Sequence, residues 1–181
     1  MNRCDPAIQW QPQEPGVSED EEGVVRFSYG VPLSPDNLLN VHSNVGGSFE
    51  YSHEAGQLLP IGSHVLQAVF KPNEPVNYNE AQASLTIHVV KTLPALVFPP
   101  PEPIYYGEPL SDKQLNARIE LIVGALEIPG RFEYSPPLGV VLLVGEHNLT
   151  VKFIPEQPEN FEETEMSSTL FVQKFIPRII W

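Results

Sequence analysis

The chain has 181 residues with 41% hydrophobic content, room and material for one large core or two small ones. A formal charge of −13 without any Lys/Arg cluster excludes phosphate-tracking nucleic-acid binding and attraction to an anionic membrane leaflet. Cys4 is the single cysteine, so no internal disulfide and no cysteine-based zinc site can form, and the 20 prolines favour strands and turns over helices.

In chain order, the first element is an opening strand in Pro6-Ala-Ile-Gln-Trp10. An acidic stretch follows, Ser18-Glu-Asp-Glu-Glu-Gly23, expected to be a solvated loop. "FSYGVPLS" at 27–34 then leads into Ser34-Pro35, a cap before proline that predicts one helical turn. From Phe49 the chain runs "FEYSHEAGQLLPIGSHVLQAVFKPNEPVNYNE", and from Phe132 "FEYSPPLGVVLLVGEHNLTVKFIPEQPENFEE". The offset of 83 holds without a gap to Phe98 and Trp181, with 19 identities over 50 positions. This is an internal duplication.

Within it, "HVLQAVF" and "HNLTVKF" alternate with period two. His64, Leu66, Ala68 and Phe70, and their counterparts, are thereby placed on one buried face. "ASLTIHVV" and "SSTLFVQK" close the two copies as β-rich strands. His64 and His147 each follow a glycine at a strand start, without the further ligands of a metal site, and are expected to be structural. Tyr78, before the last strand, is expected to tie its hydroxyl to the upstream backbone, a bond that Phe161 cannot repeat. The paired PxxP runs, Pro72–Pro75 and Pro155–Pro158, occupy the same turn in both copies.

Upstream, "FSYGVPLS" matches "IYYGEPLS" (104–111) at an offset of 77, and Ser111-Asp-Lys-Gln114 has capping-box form. "PAIQW" matches "PALVF" (94–98) at 88, which leaves eleven extra residues in copy 1 and six in copy 2. The copies therefore span 5–91, with an acidic insertion at about 13–25, and 94–174, with an apolar insertion at about 119–129. Residues 175–181, with "PRIIW" on the same register, read as the start of a third repeat. Only Thr92 and Leu93 separate Lys91 from Pro94, which predicts a stiff end-to-end pair. Short strands at this spacing give the fold class: all-β, two tandem Ig-like β-sandwich domains plus the first strand of a third repeat.

Tyr106-Gly-Glu-Pro-Leu-Ser111, Gln114-Leu-Asn-Ala117, Phe132-Glu-Tyr134, Gly145-Glu-His147, Leu149 and Phe153-Ile-Pro155 together resemble the bacterial Ig-like MBG/YDG repeat family. Copy 1 matches at equivalent positions, with Leu38-Leu39-Asn40 where Gln-Leu-Asn-Ala is typical. The resemblance implies tandem arrays in bacterial surface and adhesin-like proteins, and a spacer or adhesive role without a catalytic site. It also implies a cell-surface setting; a cytoplasmic or cytoskeletal scaffold of eukaryotic origin is the alternative.

The sequence supplies no phosphate-cradling glycine loop and no nucleophile context, so no enzyme and no cofactor are expected. A protein partner is expected, and a monomer apart from neighbouring repeats. The candidate partner-binding residues are Ile122, Val123, Leu126 and Ile128 in the apolar insertion, where residues beyond the needs of the repeat either enlarge the core or lie exposed. A carbohydrate-binding module would need solvent-facing aromatics on one sheet; the aromatics here are expected to sit at repeated, buried positions, which argues against it.

Overall fold

A computed structural model describes residues 3–13, 16–19, 24–120 and 127–175. The chain is all-β, thirteen strands among the described residues, in two compact units: Met1–Thr92, and Leu93–Ile122 with Glu127–Trp181. Unit 1 contains β1 (Ile8–Trp10), β2 (Val17–Glu19), β3 (Val25–Ser28), β4 (Val41–Ser43), β5 (Gly47–Tyr51), β6 (Gly62–Pro72) and β7 (Ala81–Val90). Unit 2 contains β8 (Ala95–Val97), β9 (Ile104–Tyr105), β10 (Arg118–Glu120), β11 (Gly130–Ser135), β12 (Gly145–Pro155) and β13 (Thr164–Gln173).

The main sheet of unit 1 has the order β2-β3-β7-β6-β5, and that of unit 2 β11-β12-β13-β9. A small antiparallel pair completes each: β1 with β4, and β8 with β10. The last strand of each unit runs parallel to the strand just before the Tyr-Gly motif, β7 to β3 and β13 to β9. Strands β6 and β12 alternate as the sequence predicts. Leu66, Ala68 and Phe70, and Leu149, Val151 and Phe153, are fully buried. Leu33, Leu38, Ile87 and Val89 fill the rest of the first core, Leu110, Leu115, Leu170 and Val172 the second.

A shared entry fixes where the long strands begin. Gly62 and Gly145 have φ of 133° and 138°, a backbone region that only glycine occupies without strain. The histidine two positions on is half-buried, and its Nε2–H donates to a carbonyl four residues upstream: His64 to Pro60 and His147 to Leu143, both at 2.7 Å. A carbonyl can only accept, so the proton is on Nε2, and each ring locks its own strand entry. These are structural histidines.

The turn after the Tyr-Gly motif is a single bend. The Ser111 carbonyl accepts from the amides of Gln114 and Leu115, both at 3.0 Å, and the Gln114 side chain returns to accept from the Ser111 amide at 3.2 Å. Asn37 plays the same part in unit 1, accepting from the Ser34 amide at 2.8 Å.

The expected tyrosine tie is made by other residues. The Tyr51 hydroxyl accepts the Val41 amide at 3.4 Å, and the Tyr134 hydroxyl accepts the Ala117 amide at 3.1 Å. Tyr78 is half-buried and its strand segment bridges to Cys4 instead. The ties also correct the loop count. They span 10 residues in unit 1 and 17 in unit 2, so the net six extra residues are seven gained after Ala117 and one lost before it. Burial pushes both phenols above the ordinary 10.0, against the opposing pull of the backbone hydrogen bond. A phenol whose folded pKa is raised stabilises the fold fully below the unfolded value, and that contribution is lost as pH rises through the folded one. Unfolding is therefore expected to become easier above about pH 10. Tyr134→Phe is expected to blunt the alkaline loss in unit 2 while lowering neutral-pH stability by about 1 kcal/mol, read by thermal melts across pH.

Candidate interaction site

Of the predicted partner-binding residues, Ile122, Val123 and Leu126 lie outside the described residues. Ile128 is half-buried and packs, with Ile119, against the core of unit 2. It extends the core on one side and lines an open cavity on the other. With it, Ala117, Ile119, Phe132 and Phe153 line that cavity, about 490 Å³ at the base of the insertion.

The acidic insertion of unit 1 is partly strand. Val17 is buried in the core while Ser18 and Glu19 face solvent, and the three residues of β2 lie antiparallel on β3. A free edge amide and carbonyl row pairs readily, which outweighs the poor strand propensity of Ser-Glu. Unit 2 has no such strand among its described residues, and β9 pairs there with β13 alone.

Aromatic side chains divide into two sets. Trp10, Tyr51, Phe49 and Phe70 contact one another in unit 1, as Phe98, Tyr134, Phe132 and Phe153 do in unit 2; the Phe49–Phe70 and Phe132–Phe153 centroids are 5.1 and 5.2 Å apart. These are core contacts. The second set contradicts the expectation that the aromatics are buried: Tyr105, Tyr106, Phe171 and Phe175 are 47%, 55%, 51% and 69% exposed. Register places Tyr105 beside Gln173 and Phe171 beside Glu146, on the outer face of the sheet. Unit 1 has Ser28 and His88 at the positions of Tyr105 and Phe171. The Tyr105 and Phe175 rings meet edge to face at 82°, so they do not form one flat platform for a sugar ring.

At the same edge the Tyr105 amide donates to Oε2 of Glu108 at 2.8 Å. Glu102, Ile104, Glu108, Ser111, Lys113 and Gln114 line an open cavity of about 340 Å³ there. Sequence reading did not single out this edge. The signal was present: copy 2 lacks the eleven residues that give copy 1 its additional strand.

Elsewhere, no group of three or more His, Cys, Asp or Glu among the described residues could hold a metal ion. No helix among them is long and apolar enough to cross a membrane. The ion pairs Lys71–Glu50 and Lys152–Glu163 lie at positions that do not correspond between the units, on exposed side chains, where such pairs contribute little to stability.

No family model matches the sequence, and no curated protein matches it. Among solved structures, a crystal structure of Drosophila N-cadherin EC1-3 is similar at 12% identity and a TM-score of 0.34, over 83% of this chain and 64% of that one. The chain thus spans less than two thirds of that cadherin fragment. The fibronectin(III)-like modules of Clostridium thermocellum CbhA are similar at 13% identity and a TM-score of 0.29, over 93% and 95% of the two chains. At these scores neither likeness assigns a function, and the all-β fold stands on the strands themselves.

Proposed function

We propose that the chain is a pair of tandem Ig-like β-sandwich units, of the kind the MBG/YDG resemblance implies, acting without catalysis as a spacer and protein-interaction segment of a larger protein. The observation that carries this reading is how the copies agree and differ. Duplication keeps the buried faces of β6 and β12, the histidine locks and the tyrosine ties. It varies an exposed face, where unit 2 carries Tyr105, Phe171 and Phe175. A two-residue connection, Thr92-Leu93, supports the spacer role. The cell surface is the setting that the resemblance favours, with an intracellular scaffold as the alternative.

The test is affinity capture on the immobilised chain, followed by identification of what is retained with and without prior glycosidase treatment. Retention of a defined protein that survives deglycosylation is expected. Retention of glycan alone, or turnover of a substrate by the chain, contradicts the reading.

A further inference from the structure

The two units treat the outer side of one strand differently, and the difference defines a binding slot. In unit 1 the segment before β3 covers it: Val17 stands opposite Phe27 and Glu19 opposite Val25. The Ser28 amide donates to the Gly16 carbonyl at 2.9 Å, and the Gln13 amide donates to the Asn37 carbonyl at 3.0 Å. In unit 2 the residues at the positions of Phe27, Ser28, Val31 and Asn37 are Ile104, Tyr105, Glu108 and Gln114. Tyr105 follows Ile104 in the strand, and Ile104, Glu108 and Gln114 line the 340 Å³ cavity along β9. Its shape is where unit 1 seats its own strand. Unit 2 cannot fill it from the segment before β9, because Pro99, Pro100, Pro101 and Pro103 leave too few residues and too few amides to double back.

One hydrogen bond shows how the slot is kept closed to casual pairing. The Tyr105 amide is the counterpart of the Ser28 amide, and the Glu108 carboxylate stands where a strand carbonyl would accept it. A charged cap and a proline are ordinary protection for a sheet edge. Glu108 is exposed, however, so its carboxylate can return to water at small cost when a better partner for the amide arrives. The lining sets two carboxylates, Glu102 and Glu108, against the single ammonium of Lys113. The exposed rings of Tyr105 and Phe175 meet each other on the sheet face and do not line the slot.

We propose that the β9 edge of unit 2 is a strand-addition site for an extended basic segment of a partner protein, seated antiparallel as β2 is seated on β3. This rests on reading the chain as an interaction module and names the place and the chemistry. A carbonyl of the incoming strand takes the Tyr105 amide. The released Glu108, with Glu102, then holds a Lys or Arg side chain of that strand. The β2 segment of a second copy is the wrong occupant: Ser18 is followed by Glu19, Asp20, Glu21 and Glu22, which the two carboxylates repel.

The test uses the full chain and two synthetic peptides. One has the sequence of residues 11–19; the other carries Glu14→Lys, Ser18→Lys and Glu19→Lys. The basic peptide is expected to shift the NMR amide signals of Tyr105, Glu108 and Gln114 and to bind at least about tenfold more tightly than the parent, a difference of about 1.4 kcal/mol. The Glu102→Lys/Glu108→Lys chain is expected to reverse that preference. Tyr105→Pro, which removes the slot-facing donor, is expected to abolish the shifts while the Ala117 amide keeps its folded position. Unmoved amides, or an unchanged preference after charge reversal, overturn the site. A captured partner that Tyr105→Pro retains equally well sinks the site but leaves the interaction reading standing; a chain that captures no protein while the peptide shifts are present sinks that reading instead.

Discussion

Phe153→Ala is expected to destabilise unit 2 by about 3–5 kcal/mol, which places the loss among the largest that a single substitution gives. Phe153 is 1% exposed, on the buried face of β12 toward its C-terminal end. It stands opposite Phe132 on β11, whose ring centroid is 5.2 Å from its own, and opposite Thr164 on β13. Alanine forfeits the transfer free energy of the ring and leaves a hole beside the Ile119–Ile128 cavity, which the neighbours fill only in part. For a unit of this size each kcal/mol is worth roughly 4–8 °C in Tm, so a calorimetric fall of more than about 12 °C is the expected reading. Phe70→Ala is expected to do the same to unit 1, where Phe70 is fully buried against Phe49.

The second large effect belongs to a residue with no side chain. A Cβ built at Gly130 would lie 2.6 Å from Cε2 of Phe153 and 2.7 Å from the Ile154 carbonyl oxygen. At Gly47 the corresponding atom would collide with the Phe70 ring and the Lys71 carbonyl. Neither glycine has a positive φ. Each is required because an aromatic ring from the next strand lies across its backbone. Gly130→Ala is therefore expected to cost about 1–3 kcal/mol by forcing the ring and strand apart. The two positions are coupled. In Gly130→Ala/Phe153→Leu the ring is gone, so the double variant is expected to lose clearly less than the sum of the single losses, measured by denaturant melts in a double-mutant cycle. Strict additivity contradicts the contact.

Much of this fold is legible in the sequence, because a duplication reports which positions a core needs. The offset of 83 places β12 and β13 on β6 and β7 residue for residue, and the alternation in them predicts the buried faces. The histidine locks follow from the same pairing. Three features were not legible, each for its own reason. The tyrosine tie went to Tyr51 and Tyr134 because a hydroxyl bonds to whatever backbone the fold brings near, and only the long-range placement of Val41 and Ala117 decides that. Strand β2 hides in an acidic stretch because edge pairing to β3, rather than propensity, makes it a strand. The seven-residue gain and one-residue loss in unit 2 partly cancel, so an alignment of letters reads them as six.

The interaction surface divides along the same line. Ile128, selected for its apolar company, belongs to the core margin, while Tyr105, Phe171 and Phe175 look in sequence like further core aromatics. Their exposure follows from sheet register: on β13, Leu170 and Val172 face inward, so Phe171 between them must face out. The missing eleven residues before β9 are the one sequence signal that marks the edge itself.

The central claim is that the chain consists of two units, each folded around its own copy of one core. Hydrogen exchange followed by mass spectrometry on the full chain, comparing wild type with Phe70→Ala and Phe153→Ala, tests it most directly. The account predicts that Phe70→Ala strips protection from β5, β6 and β7 while β11, β12 and β13 stay protected, and that Phe153→Ala gives the mirror result. Loss of protection across both sets of strands from either single substitution would contradict it.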